Sequence, residues 1–239
     1  MKKHLALITL ILTATFVLSP LVTNPFSGFR ADQLPVPQIE PPVQPAGYAF
    51  AIWGLIYGWL AASAIYGVWK RRDDPAWNAV RAPLIVSLAV GTPWLAIANA
   101  SAIWATITIF IMAAAAIAAL LRSPDRDIWQ LRVPVAIYAG WLTAASFVSL
   151  GSTAAGYAVL TDQWGWAYIG IIGALVVAAT VQLRSHAPAY GATVIWALVG
   201  IIVANGLANW SVSALAAIGI LAIAAVIVAS RPSGRTALS

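Results

Sequence analysis

Trp53, Trp59, Trp94, Trp141 and Trp196 fall deep inside long apolar runs, where an indole N–H needs a hydrogen-bond acceptor and the ring can stack on a flat ligand as well as on another helix. Tyr57 follows Trp53 by four residues and Tyr138 precedes Trp141 by three, so each of these two indoles has a phenol close by. Asn99, Asn205 and Asn209 place amides toward the outer ends of their runs, where they suit interhelical hydrogen bonds or turns as well as ligand contact. The other seven tryptophans, Trp69, Trp77, Trp104, Trp129, Trp164, Trp166 and Trp210, lie at or near run ends, where anchoring at the headgroup level accounts for them. The chemistry open to the deep set is stacking and hydrogen bonding.

Most other chemistry lacks its residues. The chain has no cysteine, which excludes disulfides, iron–sulfur clusters, thiolate metal sites and cysteine nucleophiles. Its two histidines, His4 and His186, sit at run ends and give neither a zinc site nor an axial haem ligand. The interiors of the apolar runs carry no Asp, Glu, Lys, Arg or His, the usual marks of proton relays and ion paths. No hydrolase triad, carboxylate pair or glycine-rich phosphate loop is present. A non-enzymatic protein that requires no cofactor or metal is expected.

The elements that must hold these rings are membrane helices. Of the residues, 62% are hydrophobic and 8% charged, against about 45–50% and 25% in ordinary globular chains. Apolar runs of bilayer-crossing length fall at 5–23, 46–69, 82–99, 102–121, 133–154, 164–183, 190–209 and 211–230. Their continuity, without alternation, disfavours a β-barrel. The expectation is an all-α polytopic bundle of eight transmembrane helices, with 1–239 forming a single membrane domain. The first run has the lysines and apolar core of a signal peptide but no clear A-x-A site, and is read as a retained helix.

The formal charge of +6 is explained by topology. With the N-terminus inside, Lys2, Lys3, Lys70, Arg71, Arg72, Arg81, Arg122, Arg126, Arg132, Arg184, Arg231 and Arg235 all fall on one side and Arg30 alone on the other. That distribution follows the positive-inside rule, places both termini in the cytoplasm of a bacterial inner membrane, and sets the basic face against anionic headgroups rather than nucleic acid.

The connections differ in kind. Residues 25–45, PFSGFRADQLPVPQIEPPVQP, hold six prolines and read as an extended outer loop long enough to act as a lid. KRRDDPAWNAVR, RSPDRDIWQLR and RSHAPAY read as solvated inner turns. IANAS (97–101) and LANWS (207–211) hint at two repeated halves and put Ser101 and Ser211 in position to N-cap the helices that follow. Gly54, Gly58 and Ala62 make a small-residue seam for close helix packing, within the chain or with a homodimer or membrane-complex partner. Pro93, after Gly91, is expected to kink the third span.

Two of these elements carry a resemblance. Pro45, Trp53, Ile56 and Tyr57 form P-x7-W-x2-[LI]-Y, which resembles the first helix of the tryptophan-rich sensory protein family (TspO/MBR, or translocator proteins). Tyr138, Trp141 and Ala145 in YAGWLTAA resemble that family's P-Y-x2-W-x2-F-A-x2-L-N motif. The sequence departs from the pattern at Pro134, four residues ahead of Tyr138, at Val148-Ser149 in place of Leu-Asn, and at Trp94, which precedes Asn99 instead of following it. The resemblance implies a five-helix core over about 45–183, with additional helices at 5–23, 190–209 and 211–230. It also implies binding of a planar hydrophobic small molecule, above all a porphyrin or other tetrapyrrole, with a sensory or regulatory role. Trp53, Tyr57, Tyr138 and Trp141 are the implied pocket residues, joined by Trp94 and Asn99 as further candidates.

At a rise of ~1.5 Å per residue, Trp53 and Trp141 lie roughly 10 and 18 Å below the outer boundary, so one flat ligand could touch both if their helices are neighbours. The competing reading is a structural subunit or assembly factor of a larger membrane complex, with the glycine seam and the rings facing partners.

Overall fold

The computed structural model describes residues 4–26 and 28–230. Lys2, Lys3, Arg231 and Arg235, which the charge argument placed inside, lie outside the described residues. The helices are α1 Leu5–Val22, α2 Ile52–Lys70, α3 Pro75–Gly91, α4 Trp94–Ala100, α5 Ala102–Leu121, α6 Val133–Gly156, α7 Gln163–Ser185, α8 Pro188–Asn205 and α9 Trp210–Ala229. A 3₁₀ turn, Gly47–Ala51, leads into α2, and a π-helical turn, Ile128–Arg132, leads into α6. Taken with these lead-ins, and with α3 and α4 as one broken helix, the described residues contain eight segments long and apolar enough to cross a membrane.

Local chemistry explains where the segments begin and break. Asp74 caps α3 by accepting from the backbone N–H of Ala76 (2.9 Å) and Trp77 (3.4 Å), and Pro75 takes the first helical position, where its missing N–H costs nothing. The third span therefore starts at residue 75 instead of 82, and most of KRRDDPAWNAVR is helix, not a solvated turn. Pro93 separates α3 from α4, a full break where a kink was expected. Ser101 accepts from Trp104 N–H (3.4 Å) and caps α5 as anticipated. Ser211 does not cap α9: Asn209 holds the N-cap position and the Ser211 hydroxyl bonds to Tyr168 (2.7 Å), so the two similar turns are built differently. In α1, Pro20 offers no N–H to the Phe16 carbonyl, and the Ser19 hydroxyl donates there instead (2.8 Å).

The centre of the bundle is α6, buried along nearly its whole length and packed against α2, α5, α7 and α8. Helices in lipid associate through close packing and hydrogen bonds, since the apolar solvent gives little drive of its own. Both devices are present. A Cβ on Gly140 would fall 2.6 Å from the Tyr190 carbonyl, so only glycine lets α6 and α8 approach this closely. Hydroxyl pairs bind the neighbours to α6: Thr106–Ser149 (2.7 Å) and Thr106–Thr153 (2.8 Å) from α5, Ser87–Tyr138 (2.9 Å) from α3, and Thr143–Tyr190 (2.9 Å) from α8. Gly54 and Gly58 face the other way, with nothing within 4 Å of an added Cβ, so the small-residue seam points out of the bundle.

At the end that carries the basic connections, Arg71 donates to both carboxylate oxygens of Asp127 (2.8 and 3.1 Å), and the Trp77 indole donates to the same carboxylate (2.9 Å). Arg126 pairs with Asp74 (2.7 Å), and Arg132 bonds to Asp125 and the Ser185 carbonyl. Arg81 lies inside α3 with 2% exposure, so the third span does carry a charged residue, in the half nearest the basic connections. Its guanidinium donates to the carbonyls of Gly67 (2.8 Å), Arg71 (3.1 Å) and Arg72 (3.0 Å), placing a positive charge where α2 ends.

Candidate functional site: an aromatic cavity beneath the proline-rich loop

Trp53 and Tyr57 are four residues apart on α2 and therefore share a face; their rings stack at 5.3 Å with planes 25° apart. Trp141, projecting from α6, meets Trp53 edge-on (6.3 Å, 84°) and also meets Phe50 edge-on (5.6 Å, 83°). Together with Phe16 of α1, Trp94 of α4 and residues of α5, α6 and the outer loop, these rings line a cavity of about 240 Å³. Phe16 closes one wall, edge-on to Trp53 (6.0 Å), Tyr57 (5.4 Å) and Tyr138 (5.7 Å). Gly91 makes room for it, because a Cβ there would sit 2.8 Å from the Phe16 ring.

The proline-rich loop contributes Pro25, Phe26, Gly28, Phe29, Gln44 and Pro45 to the lining. It is packed and tied down more than a solvated polyproline stretch would be: Leu34 and Val43 are buried. Near its start, Asn99 Nδ2 donates to the Asn24 carbonyl (3.1 Å), Gln33 Nε2 to the Ala98 carbonyl (2.8 Å) and Arg30 Nη1 to the Asn99 carbonyl (3.4 Å). Further along, Asn205 Nδ2 donates to the Pro42 carbonyl (2.9 Å) and Ala46 N–H to the Gly200 carbonyl (3.0 Å). The Arg30–Asp32 pair (2.9 Å) is exposed, and its hydrogen bond holds the Asp32 carboxyl below the usual carboxylate range.

Four of the six residues singled out from the sequence, Trp53, Tyr57, Trp94 and Trp141, therefore meet in one cavity. Tyr138 stands behind the wall, fully buried, its hydroxyl bonded to Ser87 Oγ (2.9 Å), so it supports Phe16 and is not placed to tether a ligand. Asn99 is likewise outside the lining, and its amide fastens the loop. The rings of Trp53 and Trp141 are perpendicular, so a flat molecule can stack on only one of them while offering its edge to the other.

Sequence reasoning missed Phe16, Phe50, Ser149 and Ser152. The two serines follow Trp141 by eight and eleven residues and so fall on its face of α6, a spacing legible in the sequence. Phe16 gave no such signal, since α1 carries neither family motif.

Hydrogen bonding separates the deep indoles. Trp59 donates to the Trp129 carbonyl (2.8 Å), Trp94 to the Ala105 carbonyl (3.0 Å) and Trp196 to the Ala49 carbonyl (3.0 Å), each an ordinary packing role. Among the described residues, the buried Nε1 of Trp141 has no acceptor and the buried hydroxyl of Ser152 has no partner. No Asp, Glu, Lys, Arg or His is among the described residues of the lining. The volume lies just under the ~300–1,000 Å³ common for small-molecule sites. That volume matches a small flat molecule, whereas a tetrapyrrole exceeds it and needs a wider cavity.

A model of the TSPO-like protein family matches residues 4–229, a stretch that takes in all eight spans. No curated protein and no solved structure matches the chain.

Proposed function

From the premise that the chain belongs to the TSPO-like protein family, we propose that it is a membrane receptor or carrier that holds a planar hydrophobic ligand in the α1–α2–α6 cavity, with tetrapyrroles the leading class. The observation that carries this reading is the convergence of Trp53, Tyr57, Trp94 and Trp141 on one aromatic cavity in the outer half of the bundle. Its walls supply stacking surface and apolar burial, and the loop over it provides a route in and out. The aromatic and apolar character of the lining supports recognition and release of a ligand, in a sensory or regulatory setting.

The basic connections gathered at one end support a position in a bacterial inner membrane with both termini cytoplasmic. The outward Gly54–Gly58–Ala62 face supports contact with a second copy or another membrane subunit in addition to lipid.

Tryptophan fluorescence in detergent tests the reading. Porphyrin is expected to quench it saturably, and the Trp53→Leu/Trp141→Leu double variant to lose that saturable component while keeping its helical circular dichroism. Unchanged affinity in the folded double variant would remove the cavity from consideration.

A further inference from the structure

The reading of this cavity as a ligand site leaves open what polar chemistry the ligand must carry, and two atoms bear on it. Trp141 and Ser152 are lining residues, 2% and 4% exposed, and Trp141 Nε1 and Ser152 Oγ are buried with no hydrogen-bond partner among the described residues. Three other polar groups of lining residues are satisfied: Ser149 Oγ by Thr106, Ser19 Oγ by the Phe16 carbonyl and Trp94 Nε1 by the Ala105 carbonyl. Buried donors are nearly always paired in folded proteins, so two orphans in one cavity mark places where a bound molecule supplies the partner.

Their arrangement constrains that molecule. Eleven residues on an α-helix bring the chain back to the same face about 16 Å further along the axis. Between them the lining carries Ala145 and Val148, with Ser149 already bonded to Thr106. An indole N–H only donates, so its partner must be an acceptor, whereas a serine hydroxyl can donate or accept. The lining carries no charge among its described residues, so an ionised group buried beside either atom would have no counter-charge.

We infer that the cavity selects an uncharged, elongated hydrophobe with a carbonyl-type oxygen accepting from Trp141 Nε1 at its inner end and a second oxygen against Ser152 Oγ at its outer end. Among flat molecules this favours neutral ketones, quinones, amides or esters over dicarboxylates. A tetrapyrrole acid fits this demand only with its carboxylates held outside the cavity.

A rigid rod of three para-linked phenyl rings offers a graded probe set: the bare hydrocarbon, the mono-acetyl and di-acetyl compounds, and the dicarboxylate. In titrations of the full chain in detergent, each acetyl group is expected to tighten binding about fivefold, the effect of one ordinary hydrogen bond. The dicarboxylate is expected to bind at least about tenfold more weakly than the di-acetyl rod. Ser152→Ala should erase only the second acetyl's gain and Trp141→Phe only the first. The ultraviolet resonance Raman band that reports indole N–H bonding should shift in wild-type protein with the mono-acetyl rod, a readout that survives even if Trp141→Phe misfolds. Equal affinity for the hydrocarbon and the di-acetyl rod, or tighter binding of the dicarboxylate, overturns the inference while leaving the ligand site intact. Failure of every rod and of porphyrin to bind overturns both.

Discussion

The hydroxyl of Tyr138 is bonded to Ser87, whose own hydroxyl donates to the Met112 carbonyl (2.9 Å), so α3, α5 and α6 meet at this pair just behind the cavity. A phenol held this way serves packing. Tyr138→Phe is expected to lower stability by about 1 kcal/mol, the usual net value of one hydrogen bond, because Ser87 keeps its backbone acceptor. Porphyrin affinity should stay within about twofold of wild type, since a residue behind the wall adds no ligand contact. Thermal melts paired with quenching titrations check both, and a large loss of affinity at unchanged stability would put the phenol in the cavity after all. The sequence could name Tyr138 because it stands three residues from Trp141. Whether a phenol faces a cavity or a neighbouring helix depends on the partner helix, here on Ser87, and no local pattern encodes that.

Among the elements, the entry to α6 is the least expected from sequence. RSPDRDIWQLR reads as a solvated turn, yet Asp127 fastens it: the Arg71 guanidinium from the α2–α3 connection and the Trp77 indole from the first turn of α3 converge on that carboxylate, and Ile128–Arg132 continues as helix. A long-range ion pair of this kind turns charged residues into helix-positioning residues, which composition alone cannot reveal. The hydrogen bond from Arg71 is the main reason that the Asp127 carboxyl is held below the usual carboxylate range. The stabilisation is therefore complete above the ordinary aspartate value of about 3.9 and is lost as pH falls from there through the lower native value. Melting temperature in detergent should drop across that acid window in wild-type protein, and Asp127→Asn should start lower and show a shallower acid dependence. Parallel acid profiles for the two proteins would mean that the clamp does not couple to stability. The transmembrane elements themselves were readable, because runs of apolar residues near ~20 long have few alternatives to a membrane helix. Their starts at Pro75 and Ile128 were not, since both depend on aspartates whose partners are distant or backbone.

For the whole molecule, the cavity draws on helices at both ends of the chain: Phe16 comes from α1, Ala197 from α8, and the loop between α1 and α2 covers it. Segments that lie outside the motif-bearing stretch 45–183 thus help to build the site, and the family match from 4 to 229 includes them. The motifs at Trp53 and Trp141 pointed to the two central walls, but the remaining wall could be located only once α1 was seen packed on α2 and α3. The same bundle separates Arg30 and Asp32 beside Asn99 from the Arg71–Asp127 end. A chain without cysteine lets that separation be tested by single-site labelling. Asp32→Cys should react with an impermeant maleimide added outside intact cells, and Arg72→Cys only after the membrane is opened. The reverse pattern would invert the proposed orientation.

Filling the cavity tests the proposed ligand site directly. Ala145 lines it from α6 between Trp141 and Ser152, partly buried, with open volume before it. Ala145→Phe should occupy that space, keep the thermal melt of the parent and reduce porphyrin quenching at least about tenfold, in line with the cost of displacing a ligand from well-matched apolar contact. Undiminished, saturable quenching in a folded Ala145→Phe protein would contradict the account and place ligand binding elsewhere.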